Sequence, residues 1–352
     1  MERDACKKSN ANLHWLLSEK RNPGTLAMSL PAYMRHVYSG FEPSQAFDIV
    51  YGGTFEHRLL SSRRSSMEHQ RLTLGDIRLE TGCYDFPVVA QGSMPADAIC
   101  IGFMAAGSDI TRYNTASIGP EEIQIYPPGV ELLYHAADSS RWVNFTVSEE
   151  RLRQAALAQR QRPLSIARRA AYSVRLCNGG RAALTYLADD AMALARRLQP
   201  TGGMAPDLAA TIGQSLLAGY VDALLDAAPA RRTERTAAEQ RHHLLITACE
   251  RLVLSGADAD ITLSAIARRS GYSLRSLELI FRQSVGMTPG RWFMTARLNG
   301  ALRDLLTCCP AGSVSDIAGK WGFRHLSRFS QYYRQAFGES PSDTLKRSRG
   351  SV

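Results

Sequence analysis

The stretch from Leu263 to Pro289 reads LSAIARRSGYSLRSLELIFRQSVGMTP, and a second stretch from Val314 to Pro341 reads VSDIAGKWGFRHLSRFSQYYRQAFGESP. They are two copies of one pattern. Ser264, Ile266, Ala267, Gly271 and Tyr272 recur 51 residues on as Ser315, Ile317, Ala318, Gly322 and Phe323. Phe281, Gly286 and Pro289 recur 52 residues on as Tyr333, Gly338 and Pro341, so one extra residue separates the halves of the second copy. Each copy spells a short helix, a glycine turn and a longer helix. That is how a helix-turn-helix is written, and two of them in one chain point to duplex DNA.

In the first copy, Ile266 and Ala267 supply the buried face of a short helix ending near Arg269, and the small alanine lets the next helix pack closely. Gly271 permits the left-handed turn that a residue with a Cβ resists. The spacing predicts a second helix from about Leu274 to Ser284, with Leu277, Ile280 and Phe281 on the core side. Arg275, Ser276, Glu278 and Leu279 then lie on the opposite side, in the turn of a recognition helix that enters the major groove. In the second copy, Ile317 and Ala318 pack the first helix, Gly322 makes the turn, and Phe323, Phe329, Tyr333 and Phe337 form the apolar stripe. Arg324, His325, Ser327, Arg328 and Gln331 face away from it. An arginine can donate two hydrogen bonds to guanine and a glutamine can pair similarly with adenine, so Arg328 and Gln331 lead among the base-reading candidates. Arg324 and His325 suit phosphate.

Between the copies, Arg291 to Leu306 reads as a single helix, RWFMTARLNGALRDLL, with Trp292, Phe293, Leu298, Ala301, Leu302 and Leu305 available for packing. Such a connector would hold two recognition helices at a fixed spacing. Major-groove faces on one side of B-DNA recur about every 10.5 base pairs, so the two copies are expected to read adjacent grooves of one asymmetric site.

Taken together, the residues IA..SGYS..L...F....G..P, a connector with ARL..A..LL, and IA...GF.....F...Y...FG.SP resemble the DNA-binding domain of the AraC/XylS family of bacterial transcription regulators. The resemblance covers about 100 residues, from near His243 to Arg347. It implies a bacterial source, binding to double-stranded promoter DNA and activation through contact with RNA polymerase. It further implies an N-terminal domain that binds a small effector or forms a homodimer. Leu279 departs from the family pattern, since its position often carries a polar or basic residue, so base reading by the first copy is expected either to be weaker or to rely on a methyl contact. The segment after the last proline, SDTLKR, lacks the aromatic-plus-arginine ending common in the family.

Charge agrees with this division. Of a net charge of +9 over 352 residues, the part from Arg235 onward carries 17 Lys or Arg against 9 Asp or Glu, which leaves about +1 for the rest. Neutralising phosphates is the usual use of such a patch. The segment PARRTERTAAEQ, residues 229–240, reads as a linker between an effector-binding or dimerisation domain, 1–228, and the DNA-binding domain, 241–352. The two helix-turn-helix units are expected at 263–284 and 314–337.

Residues 46–147 carry short apolar or alternating runs separated by Gly, Pro, Asp and Asn, which suggests an antiparallel sandwich or barrel. IYPPGVELLYH reads as a tight connection between adjacent strands. Residues 149–228 turn alanine- and leucine-rich with helical spacing, predicting two or three helices. The last of them is apolar around its circumference and calls for burial in a bundle or against a second copy of the chain. The fold class expected is therefore α+β: a β-barrel-like (cupin-like) N-terminal domain with flanking helices, and an all-α C-terminal domain with two helix-turn-helix units.

Other chemistry is weakly signalled. The seven cysteines are scattered without metal-ligand spacing and read as reduced cytoplasmic thiols. His57, His69 and His135 stand alone, so no metal site is expected, nor any cofactor. An enzyme fused to a DNA-binding module would need a reactive cysteine, and Cys83, Cys100 and Cys177 have no neighbouring His or basic motif in the sequence. No catalytic residues are expected. A pure protein-interaction N-terminal domain is the other alternative. Tyr84, Phe86, Phe103, Tyr113, Tyr126 and Tyr134 are candidates either for a pocket or for plain core. With no signal-like opening and no long apolar run, neither secretion nor a membrane span is expected.

Overall fold

The strand-rich segment folds into two antiparallel sheets laid face to face. The computed structural model describes residues 32–60, 65–167, 170–229, 237–255, 262–307 and 312–350. The strands are β1 (Ala32–Ser39), β2 (Thr54–Leu59), β3 (Ser66–Leu74), β4 (Ile77–Tyr84), β5 (Val88–Ser93), β6 (Ile99–Ala106) and β7 (Thr111–Tyr113), then β8 (Ala116–Ser117), β9 (Glu122–Tyr126), β10 (Glu131–Ala136), β11 (Ser140–Val147), β12 (Tyr172–Arg175) and β13 (Ala228–Pro229). One sheet has eight strands in the order β1-β3-β4-β11-β6-β9-β12-β13, and the other has five in the order β2-β5-β10-β7-β8.

Two expectations need correcting. Among the described residues no strand of one sheet pairs with a strand of the other, so the barrel-like expectation gives way to an open sandwich. Closure would need paired edge strands, and β1 instead lies at a sheet edge with most of its residues exposed. The IYPPGVELLYH segment does not join adjacent strands either. β9 pairs with β6 and β12, whereas β10 pairs with β5 and β7, so Pro127–Gly129 carries the chain from one sheet to the other. A proline-glycine turn fixes a local bend and leaves the partner of the outgoing strand undetermined.

Three helices cover the outer face of the eight-stranded sheet: α1 (Glu149–Arg160), α2 (Gly180–Leu198) and α3 (Pro206–Leu225). They account for the continuous apolar run of β6, whose residues from Ile99 to Met104 are all buried because the sheet is covered on both faces. Ile101, Phe103 and Phe145 meet Leu184, Leu216 and Tyr220 in one cluster, and the Phe145 and Tyr220 rings stack with centroids 4.1 Å apart. The 149–228 segment also holds β12, which pairs with β9, and the start of β13, which pairs with β12. By length and composition α3 could cross a membrane, but its buried residues Ala209, Leu216, Leu217, Tyr220, Val221 and Leu224 pack within this chain.

Seven helices follow: α4 (Ala237–Leu254), α5 (Leu263–Arg269), α6 (Leu274–Val285), α7 (Pro289–Leu306), α8 (Val314–Lys320), α9 (Leu326–Phe337) and α10 (Pro341–Gly350). The expected linker, 229–240, is only partly visible: 230–236 lie outside the described residues, and Ala237 already begins α4. α5 with α6, and α8 with α9, are the two short-helix, long-helix pairs that the repeat predicts. The connector is α7, entered two residues earlier than expected because Thr288 caps it and Pro289 suits a first helical turn.

Candidate nucleic-acid interface

Each helix pair is set by the same local chemistry. Thr262 and Ser313 accept hydrogen bonds from Ala265 N and Asp316 N, capping the short helices. Gly271 and Gly322 sit at φ +76° and +75°, in the left-handed region where a side chain would be strained. Gly286 and Gly338 end the longer helices in the same conformation. Inside, Leu277, Ile280 and Phe281 are buried in the first pair, and Phe329, Tyr333 and Phe337 in the second. The Phe329 ring lies 4.8 Å from Phe323 and 5.6 Å from Tyr333, so the expected aromatic stripe is continuous.

The outward side follows from this burial. Arg275 and Leu279 are exposed on α6, with Ser276 and Glu278 half-buried beside them. The Ser276 backbone N–H donates to Ser273 Oγ at 3.1 Å and its hydroxyl lies 2.9 Å from the same oxygen, so this residue serves the helix cap. Arg324, His325, Ser327, Arg328 and Gln331 are all exposed at or near the start of α9. His325 occupies the cap position of α9 without a side-chain cap bond.

The face of the C-terminal helices turned toward the sandwich is tightly bonded. Arg58 on β2 donates to both carboxylate oxygens of Glu250 on α4, at 2.7 and 2.8 Å, and Trp292 Nε1 on α7 donates to the same carboxylate at 2.5 Å. Arg58 is 3 % exposed and Glu250 4 %. Asn299 on α7 brackets a strand residue, accepting from Leu59 N at 2.8 Å and donating to Leu59 O at 3.1 Å. Glu56 receives both Arg58 and Arg303, at 2.9 and 3.0 Å. Burial works against the Glu56 carboxylate, but the two guanidiniums outweigh it and hold its pKa below the ordinary value. None of this pairing is legible in the sequence, because the partners are up to 240 residues apart. The one available signal was Asn299 itself, a buried polar residue among Leu298, Ala301 and Leu302.

Behind β2, β5 and β10, between the sheets, lies a cavity of about 20 Å³, room for a single water. Tyr84, Tyr113, Tyr126, Tyr134, Trp142 and Asn144 line it, so four of the six candidate aromatics reach a pocket. Phe86 is core on the same side, and Phe103 faces the covering helices. Burial and neighbouring charges depress the three histidines: His57 and His135 to about 4, and His69 to about 3. His57 Nε2 lies 3.0 Å from Tyr84 Oη. Burial pushes Glu80 up to about 7 against the opposing Arg71 guanidinium. Burial also raises the Cys83 thiol, with Arg141 opposing, and lifts Cys100 to about 12, so neither is poised as a thiolate. Among the described residues no three His, Cys, Asp or Glu side chains gather as a metal site.

With that geometry in place, likeness to known proteins becomes informative. Residues 266–347 match the helix-turn-helix domain family. Over 91 residues the chain is 43 % identical to the "Probable thc operon regulatory protein" of Rhodococcus erythropolis, covering 26 % of this chain and 27 % of that one. It is 46 % identical over 84 residues to the transcriptional activator NphR of a Rhodococcus species, 24 % of each chain. It is also 38 % identical over 95 residues to the XylDLEGF operon transcriptional activator of Pseudomonas putida, 26 % of this chain and 29 % of that one. Over these residues the C-terminal domain is similar to regulators of the AraC/XylS type. The matches span only about a quarter of the length of these curated relatives. Among solved structures, the DNA-binding domain of AdpA in complex with a target DNA is similar at 26 % identity and a TM-score of 0.28, covering 30 % of this chain and 94 % of that one. The AraC-like transcriptional activator CuxR is similar at 14 % identity and a TM-score of 0.36, covering 89 % and 99 %. The matched residues, 266–347, include both glycine turns, both longer helices and the connector α7.

Proposed function

We propose that the whole chain is a cytoplasmic, sequence-specific transcription activator. In this reading residues 1–228 receive a signal, 229–240 link, and 241–352 read DNA through two helix-turn-helix units, 263–284 and 314–337. The observation that carries it is the outward placement of Arg275, Arg328 and Gln331 on paired helices within a segment shared with operon activators. Arg328 donates to guanine and Gln331 pairs with adenine, while Arg275 reads a base in the neighbouring groove. Glu278 suits the amino group of cytosine, Leu279 a thymine methyl, and Ser276, Ser327, Arg324 and His325 hold phosphate or adjacent base edges. Replacing Arg328 with Ala is expected to cost roughly 1–3 kcal/mol on the matched site and relax preference at one base pair. Gel shifts on matched and singly mismatched duplexes check this, and equal losses on both would remove base reading by Arg328.

Two further roles complete the proposal. The outer face of α2 presents Ala182, Tyr186 and Ala193 at helical spacing, with Tyr186 75 % exposed, and this stripe suits a homodimer. Tyr186→Glu should shift sedimentation of the full chain toward monomer. The aromatic cavity suits a small uncharged effector, since the side-chain amide of Gln124 is buried without a hydrogen-bond partner on the face of β9 that carries Tyr126. Its small volume requires neighbouring side chains to move aside, and a thermal-shift screen of neutral metabolites tests that. Contact with RNA polymerase at the promoter is tested by transcription from a reporter bearing the selected site.

A further inference from the structure

Two groups of buried residues hold the DNA-reading units, and neither is confined to those units. The core of the first unit, Ile266, Leu277 and Phe281, is continuous with Val89 and Leu133 from the outer face of the five-stranded sheet. The core of the second unit, Phe329, Tyr333 and Phe337, belongs instead to the cluster that includes the interior of the sandwich. The ends of the recognition helices remote from their exposed starts are also tied to the sandwich. Arg112 on β7 donates to Gln283 O near the end of α6 at 2.9 Å. Phe41 meets Phe337 at the end of α9 edge-on, with ring centroids 5.8 Å apart, and the Arg347 guanidinium lies over Phe41 at 5.2 Å. Midway, Arg58 with Glu250 and Asn299 with Leu59 fix α4 and α7 to β2.

We infer that the sandwich braces both DNA-reading units and sets their separation, and that Arg58, Glu250 and Asn299 are positioning residues for this spacing. The connector α7 alone could bend or roll. Asn299 pins its middle to a strand backbone through two hydrogen bonds, and Glu250 ties Trp292 near its start to Arg58. A buried carboxylate with three donors has one well-satisfied geometry, and removing a partner leaves a costly orphan, so the docked arrangement is strongly specified. Arg275, Leu279, Arg328 and Gln331 stay exposed in that arrangement, so docking does not cover them. The strand that carries Arg58 turns Phe55 to the cavity, which places the brace one residue layer from any occupant of it.

The inference rests on the two-groove reading above, and the test separates the two. The probe is a duplex selected in vitro from a randomised library by the full-length chain, together with the same duplex carrying one base pair inserted between its halves. The wild-type chain should lose about tenfold in affinity on the inserted probe, the scale of a mismatched base pair. The Glu250→Gln/Asn299→Ala double variant, still folded by circular dichroism, should lose less than about twofold between the same probes. A merely structural role would weaken binding to both probes alike and preserve the ratio, and that outcome overturns the brace. A wild-type chain indifferent to the insertion overturns the two-groove reading and the brace together. Should the double variant not fold, Asn299→Asp keeps an acceptor for Leu59 N and sets a carboxylate oxygen, which cannot donate when ionised, against Leu59 O and Thr295 O. The ratio for that variant should fall between the other two, and an unchanged ratio again overturns the brace.

Discussion

The two repeat units share their turns, short helices and helix ends, and differ in the side chains that their longer helices present. Gly271 and Gly322 have the same left-handed conformation, and a Cβ would meet nothing within 4 Å at Gly271 and only ordinary contact with Arg297, at 3.7 Å, at Gly322, so backbone geometry keeps them glycine. The helices beyond diverge. α6 presents Arg275, Glu278 and an exposed Leu279, whereas α9 presents Arg328 and Gln331 with an all-aromatic stripe beneath. The difference shows that the repeat preserves a way of presenting a helix, while the side chains that the helix presents differ.

The largest test of that separation removes one core at a time. Phe281→Ala and Phe329→Ala each delete a fully buried ring and should cost roughly 3–5 kcal/mol in urea denaturation. Hydrogen exchange should show Phe281→Ala opening α5 and α6 while α8 and α9 keep their protection, with the converse for Phe329→Ala. Joint opening in either variant would mean that the units form one cooperative body.

Acid should distinguish the units next. His135 lies against the first unit, 3.9 Å from where a Cβ on Gly286 would sit, and burial together with Arg112 holds it near 4. Its folded pKa is below the unfolded value of about 6.5, so its stabilising effect is complete above pH 6.5 and is lost as pH falls toward 4. The full loss is at most about 3 kcal/mol, at ~1.4 per pKa unit. Exchange at α6 and the start of α7 should quicken through that window more than exchange at α9, and His135→Gln should remove the excess. A local readout is needed because His57 and His69 act in the same direction within the sandwich, whereas Glu80, raised to about 7, favours the folded state at lower pH.

Packing on α7 gives a third contrast. A Cβ on Gly300 would lie 2.1 Å from the Trp321 ring of the second unit, while one on Gly290 would meet only Leu263 at 3.7 Å. Gly300→Ala should destabilise by roughly 1–3 kcal/mol through overpacking. Gly290→Ala should be neutral or stabilising by up to about 1 kcal/mol, since alanine is the better helix former. Melting curves of the two variants check both signs.

These contrasts also mark how far the sequence was readable. The repeat, both turns, the connector and the outward set from Arg275 to Gln331 were legible because each depends on residues within a turn or two of one another. In the N-terminal half several strands within 46–147 were legible, but β1 and β12 fell outside that segment, and the partners of the strands were not legible. β11 lies between β4 and β6, and β9 and β10 part into different sheets, choices made by contacts distant in sequence. The same limit hid Arg58 and Glu250, ordinary charged residues until folding buries them together 192 residues apart. Asn299 alone carried a local hint, a polar residue beside the packing positions Leu298, Ala301 and Leu302.

The smallest expected effect concerns the residue that most separates the two readers. Leu279 is 53 % exposed on α6, an apolar side chain where α9 carries polar ones. If it meets a thymine methyl, Leu279→Ala should cost about 0.8 kcal/mol, the value of roughly one buried methylene. Replacing that thymine with uracil removes the methyl from the DNA instead of the protein and should cost the wild-type chain a similar amount. The variant should then lose nothing further on the uracil duplex, because the contact is already gone. Additive losses would place the methyl and Leu279 apart, and would leave Arg275 and Glu278 as the base-reading candidates of the first unit.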